Sequence, residues 1–188
     1  TRPQGTAFDI GAFEGNGGSV SPTPVPPATP PPVVQKVYDN ESSGFTTSAA
    51  QDAWQRYDEV GGQHYGDSHA YNHVLGTGQD VATWTFSVAK AGRYAVYAWW
   101  WAGEWRPTDV PYVVNASSGA RTVRVNQQIN GGRWNVLGIF EFKSTGSIAV
   151  KDNATSGQDI VADAIGLAYV GLPSSLVPWR LFLPLAGN

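Results

Sequence analysis

The 188-residue chain contains neither cysteine nor methionine. Without thiols, disulfide bonds and thiolate chemistry are excluded, so any fold must be held by packing alone. Methionine is missing even at position 1, and no signal peptide opens the chain. We therefore expect a processed product or a piece of a longer protein. No run reaches the roughly 18 apolar residues that a membrane span requires. Charge is sparse as well: Asp, Glu, Lys and Arg make up 14% of the residues, and the net charge is −3. That balance leaves no basic footprint, which argues against nucleic acid and anionic membrane as partners. Helical patterning is also lacking, since no window holds a persuasive 3.6-residue period over about 12 residues.

What remains is a polar, weakly charged chain with 22 glycines and a wealth of short β-prone runs. This is the profile of a secreted or cell-surface β-protein. Residues 1–15 form an arm with an alternating stretch, Phe8-Asp-Ile-Gly-Ala-Phe-Glu14. Residues 16–33 are a Gly-, Thr- and Pro-rich linker in which dense proline dictates polyproline II, extending about 3.1 Å per residue. From 34 to 171, runs bounded by Gly, Asn, Asp and Ser predict strands near 34–38, 82–88, 94–100, 112–116, 121–126, 136–142, 147–151 and 160–169. Between Ala53 and Leu75 one or two further strands are expected among long loops. Eight or so short strands at this spacing predict an all-β fold, an antiparallel, jelly-roll-like β-sandwich with extended terminal arms. Residues 172–188 form an apolar tail in which Pro184 permits only an edge strand or an extended arm.

Four of the eight tryptophans fall within seven residues, at Trp99, Trp100, Trp101 and Trp105. They close the run Arg93-Tyr-Ala-Val-Tyr-Ala-Trp-Trp-Trp101, where large apolar residues occupy both parities. Successive strand side chains point to opposite faces. One row (Tyr94, Val96, Ala98, Trp100) can fill a core, while the other (Tyr97, Trp99, Trp101) needs separate cover. That outer row is either a packing surface or a ligand platform. As a platform, flat aromatic faces would desolvate the C–H faces of sugar rings at little entropic cost. Tyr97, Trp99, Trp101, Trp105, Arg106 and Asp109 are therefore the candidate carbohydrate-binding residues. The competing reading packs the same strip under a long loop or a neighbouring subunit.

An ordered set of motifs gives the chain a resemblance. Tyr38-Asp-Asn, Gly44-Phe45 and Trp54 come first, then His64-Tyr-Gly, Ala82-Thr-Trp-Thr-Phe86 and Ala91-Gly-Arg-Tyr-Ala-Val-Tyr97. Thr108-Asp-Val-Pro-Tyr-Val-Val114, Val125-Asn-Gln-Gln128, Trp134-Asn-Val-Leu-Gly138 and Val161-Ala-Asp-Ala-Ile165 complete it. In these residues the block 37–170 resembles the golvesin C-terminal-like domain, also described as the carbohydrate-binding-like domain of xanthan lyases. The resemblance implies an extracellular β-sandwich appended to secreted enzymes or surface proteins. It also places Asn126-Gln-Gln128 and Trp134 on consecutive strands joined by the hairpin-like turn Asn130-Gly-Gly132. Trp84, Phe86, Trp134 and Leu137 are then expected in the core, and Gln127 and Gln128 in structural hydrogen bonds. Separately, Arg2-Pro-Gln-Gly5 with Asp9-Ile-Gly-Ala-Phe-Glu14 resembles the last rung of a secreted parallel β-helix.

Other constellations are weaker. His64, His69 and His73 lie close in sequence, but not at the i, i+4 helical spacing that favours a metal pair, so we expect no metal there. A structural calcium is the better-suited cofactor, with Asp39, Asn40, Glu41 and Asp163 as hard oxygen ligands, although Asp39 and Asp163 also suit turn caps. Catalysis is not expected: Ser68-His69 lacks nucleophile-elbow glycines, and Glu104, Asp109 and Glu141 stand isolated. Two functions follow. The first is a non-catalytic extracellular module that binds polysaccharide and attaches its parent to cell wall or matrix. The alternative is a homopolymeric fibre or surface-layer subunit. It would exchange strands through its arms, Phe8, Ile10 and Phe13 at one end and Leu181, Phe182 and Leu183 at the other.

Overall fold

The computed structural model describes residues 33–59 and 62–172. The arm residues Phe8, Ile10, Phe13, Leu181, Phe182 and Leu183, and with them linker residues 16–32 and tail residues 173–188, lie outside the described residues. Within these bounds the chain forms twelve strands: β1 Lys36–Asp39, β2 Phe45–Ser48, β3 Gln55–Tyr57, β4 His69–Asn72, β5 Val81–Ser87 and β6 Gly92–Trp99. They continue with β7 Val110–Ala116, β8 Gly119–Val125, β9 Asn135–Phe142, β10 Thr145–Lys151, β11 Ile160–Ala162 and β12 Ala164–Gly171. No helix occurs among the described residues.

The strands build an antiparallel β-sandwich, as expected. One sheet runs β1-β12-β6-β9 and the other β2-β5-β10-β7-β8, with a small third sheet, β11-β4-β3. Between the two large sheets lie Trp84 and Phe86 of β5, Tyr112 and Val114 of β7, and Ile148 and Val150 of β10. Facing them are Val96, Ala98, Leu137, Phe142, Ile165 and Leu167. Trp84, Tyr112, Phe142 and Ile148 are wholly buried, each withdrawing on the order of 2–3 kcal/mol of apolar surface from water. The inner parity of β6 is as the alternation required: Tyr94, Val96 and Ala98, followed by Trp100, all face this core.

Four expectations need correcting. The run 160–169 is not one strand; it breaks at Asp163, where the chain leaves the small sheet and enters the large one. The Asn130-Gly-Gly132 turn joins no hairpin, because β8 and β9 lie in different sheets and the connection crosses from one to the other. Both Asn130 and Gly132 do adopt positive φ, 60° and 66°, so the turn chemistry was legible but its partner strands were not. Trp134 stands outside the main core and belongs to a second cluster on the outer side of β6, with Ala95, Tyr97, Ala168, Val34 and Val170. Finally, Phe45–Ser48 forms an edge strand that its exposed Thr and Ser residues concealed.

Candidate functional site

The outer row of β6 does not present a flat strip. Tyr97 is 4% exposed beneath Trp134 and Val34, so its ring is not available to a ligand. Trp99 is half-buried: it meets Tyr65 and Trp134 edge-on, at 5.6 and 5.3 Å, and its Nε1 donates to the Gln63 carbonyl at 2.6 Å. The row is thus covered progressively by the chain's own segment 62–66. Trp101 marks the limit of that cover. A Cβ on Gly62 would lie 1.7 Å from the Trp101 ring, so the glycine backbone rests directly against the indole.

From Trp101 onward the surface is concave. Tyr57, His69, Tyr71, His73, Trp101, Trp105, Arg106 and Asp159 line a cavity of about 310 Å³. The small sheet supplies Tyr57, His69 and Tyr71, and the loop after β6 supplies Trp101, Trp105 and Arg106. A third segment, before β11, supplies Asp159 and grips the Trp loop closely. The Gln158 N–H donates to the Trp105 carbonyl at 3.0 Å, and a Cβ on Gly157 (φ +89°) would fall 2.6 Å from the Pro107 nitrogen. Only glycine fits there. Asp159 itself holds positive φ (58°), a conformation Asp tolerates better than most residues.

Each polar group in the cavity is oriented. Asp159 Oδ1 meets His73 Nδ1 at 2.5 Å, and the Asp159 carbonyl accepts from Arg106 Nη1 at 2.5 Å. Arg106 is 5% exposed, and its Nε is buried without a partner. Burial pulls the guanidinium pKa down to about 10, opposed by Asp159, so it keeps its charge at neutral pH. His69, almost wholly buried, is pushed down to about 3 by burial and then by Arg106 and His64, and is therefore neutral. Above them Trp105 is 47% exposed, with the Arg106 Cζ 5.7 Å from its ring centre. An exposed indole beside aromatic walls and directed donors can stack on one apolar face of a ligand while hydrogen-bonding its edge.

The structure therefore gathers Trp101, Trp105 and Arg106 of the sequence candidates and sets Tyr97, Trp99 and Asp109 apart. Asp109 binds Thr155 N–H and Oγ1, at 3.0 and 2.9 Å, and pairs with Arg124, which anchors the 155–159 segment instead of facing the cavity. Gln127 is wholly buried and structural: its amide exchanges two bonds with the backbone of Val161, at 2.8 and 2.9 Å. Gln128 Nε2 donates to the Arg106 carbonyl at 2.9 Å and so steadies the cavity's cation. Tyr57, Tyr71 and Asp159 escaped the sequence reading, and His73 entered it only as a member of the histidine cluster. Tyr57 and Tyr71 sit on strands of three and four residues, His73 and Asp159 lie outside any strand, and no local signal joins them. Of the calcium candidates, Glu41 pairs with Arg56 Nη1 at 2.6 Å and accepts from Ser68, and Asp39 lies near Asp163.

Known proteins match this architecture. Residues 36–169 match the family model of the Golvesin C-terminal domain. A xanthan lyase of Bacillus sp. (strain GL1) is 32% identical over 154 residues, which are 79% of this chain but 16% of that protein. The chain thus spans far less than the length of this curated relative. The solved structure of a Paenibacillus xanthan lyase has a TM-score of 0.65 at 33% identity, over 72% of this chain and 13% of that one. A family 35 carbohydrate binding module from an environmental isolate shares the fold, with a TM-score of 0.50 at 18% identity over 74% of this chain and all of the module. With the motif order, the sandwich and the family model in agreement, this chain belongs to the Golvesin C-terminal domain family.

Proposed function

We propose that the chain is a non-catalytic polysaccharide-binding module and that its ligand enters the cavity between Trp101 and Trp105. The observation that carries this reading is the cavity itself, in which Tyr57, Tyr71, Trp101 and Trp105 surround one buried cation and two imidazoles. Trp105 would stack on a sugar face, and Arg106 and His73 would donate to hydroxyl or carboxylate oxygens. Membership in a family whose relatives include xanthan lyases supports a polysaccharide ligand and makes xanthan the first one to try. In that role the module attaches a secreted or surface protein to cell wall or matrix. The Pro-rich stretch 16–33 would tether it, so weak single contacts gain by multivalency.

The test is affinity electrophoresis and calorimetry of the full chain with xanthan, alongside neutral and acidic plant and bacterial polysaccharides. Trp105→Ala is expected to weaken binding about tenfold or more without a change in melting temperature, as for an exposed aromatic anchor. Tyr97→Ala, by contrast, should lower stability while leaving affinity in the surviving folded protein. Retention of every polysaccharide unchanged in Trp105→Ala, or no binding to any, overturns the proposal.

A further inference from the structure

One polar cluster lies behind the cavity and shares only His69 with its wall. Asp163 stands at the corner where β11 ends and β12 begins, and it is wholly buried. No cationic side chain pairs with it among the described residues; its two carboxylate oxygens accept only from the Tyr65 N–H, each at 3.2 Å. Another carboxylate, Asp39, is close enough to act on it electrostatically and disfavours its ionised form. A buried carboxylate so poorly compensated is costly by several kcal/mol in general when ionised, and proteins resolve such sites by protonation, a counter-charge or a metal.

Two imidazoles supply the rest of the setting. β4 pairs with β11 so that Ala70 faces Ala162, which brings His69 alongside Asp163. The segment 62–68 folds back and carries His64 to the same corner, with its Nδ1 2.9 Å from His69 Nδ1. One ligand atom from each of His64, His69 and Asp163 falls within 4.8 Å of the others. Nitrogen and oxygen ligands about 2.0–2.2 Å from a tetrahedral zinc lie roughly 3.3 Å apart, so a small closure would seat one ion. Two neutral imidazoles and one carboxylate are the borderline-soft donor set of zinc, not the all-oxygen set of calcium. Three protein ligands leave one position open. His73 is not part of the group, since Asp159 holds it in the cavity.

We propose that His64, His69 and Asp163 bind one divalent transition-metal ion, zinc by chemistry, which pins segment 62–68 against the corner between the small and large sheets. The site is independent of glycan binding, although His69 forms part of the cavity wall. Trp101 provides a reporter, because its ring lies 4.7 Å from that of His64 and 5.7 Å from that of His69.

The full chain, stripped with chelator, is titrated with Zn²⁺ alone by calorimetry and with Co²⁺ by visible absorption and tryptophan fluorescence. We expect one equivalent of Zn²⁺, tetrahedral Co²⁺ bands, and quenching by Co²⁺ that fades in Trp101→Phe while Zn²⁺ binding persists. His64→Ala, a change on a half-exposed loop residue, should weaken Zn²⁺ binding at least tenfold. Asp163→Asn is a second variant, read only if its circular dichroism matches that of the parent. Absence of Zn²⁺ binding, binding indifferent to His64→Ala, or a preference for Ca²⁺ over Zn²⁺ at the site overturns the proposal. None of these outcomes depends on whether a polysaccharide binds.

Discussion

Gln127 shows how a single polar side chain can act as a piece of backbone. Its amide oxygen accepts from Val161 N–H and its nitrogen donates to the Val161 carbonyl, as a neighbouring strand would. The bonds run between a segment next to β8 and the short strand β11, so they tie the small sheet to the sandwich. Gln127→Leu keeps the volume but orphans both Val161 groups. At about 1–3 kcal/mol for each buried unsatisfied group, the variant should lose roughly 2–6 kcal/mol in urea denaturation, while Gln128→Leu loses far less. The family resemblance already implied a structural role for this residue, since a buried amide needs its hydrogen bonds satisfied. Its partner, 34 positions away, was invisible. The aromatics divide similarly. Tyr97, Trp99 and Trp101 are indistinguishable by parity, yet Tyr97 is buried in the outer cluster, while Trp101, although Gly62 rests against it, also lines the cavity.

At the scale of elements, the segment before β11 deserves more weight than its composition suggests. Gly157 approaches the Arg106–Pro107 peptide, Gln158 bonds Trp105, and Asp159 holds both Arg106 and His73. Gly157→Ala places a Cβ against backbone atoms at positive φ, a strain of about 1–3 kcal/mol that must push the Trp105–Arg106 loop away. We expect lower stability and weakened polysaccharide binding together, measured by denaturation and affinity electrophoresis. Gly119→Ala is the control. Its φ is also positive (107°), but nothing lies within 4 Å of the new Cβ, so binding should survive. β5 and β7 were legible because apolar residues recur with period two (Ala82, Trp84, Phe86; Val110, Tyr112, Val114), and β8 to β10 because turn residues bound their β-prone runs. β2, β3 and β4 are three or four residues long, too short for a period to show, and they gain their stability from pairing with distant strands.

Across the molecule, acidity should act through buried carboxylates. Asp80 is wholly buried, which alone would raise its pKa, yet N–H groups of Asp52, Ala50 and Gln51 converge on it and hold it below its ordinary 3.8. A depressed folded-state pKa stabilises above the unfolded value and loses that stabilisation as pH falls through the folded one. The difference in melting temperature between the parent and Asp80→Asn should therefore be largest near neutrality and shrink below about pH 4. A difference that stays constant to pH 2 refutes the assignment. Asp80 binds residues 50–52 to the start of β5, and so helps position the chain that continues into β3.

The all-β class, the inner parity of β6, the family and most strand bounds follow from the sequence alone, because alternation and turn residues are local properties that each segment carries with it. Which outer aromatics stay accessible, that Asp163 breaks a strand, and that Tyr57, His73 and Asp159 meet Trp101 around one cavity were settled only by tertiary structure. These depend on how three sheets and two loops close over one another, and the contacts responsible join residues about 30 to 100 positions apart, beyond the reach of any local pattern.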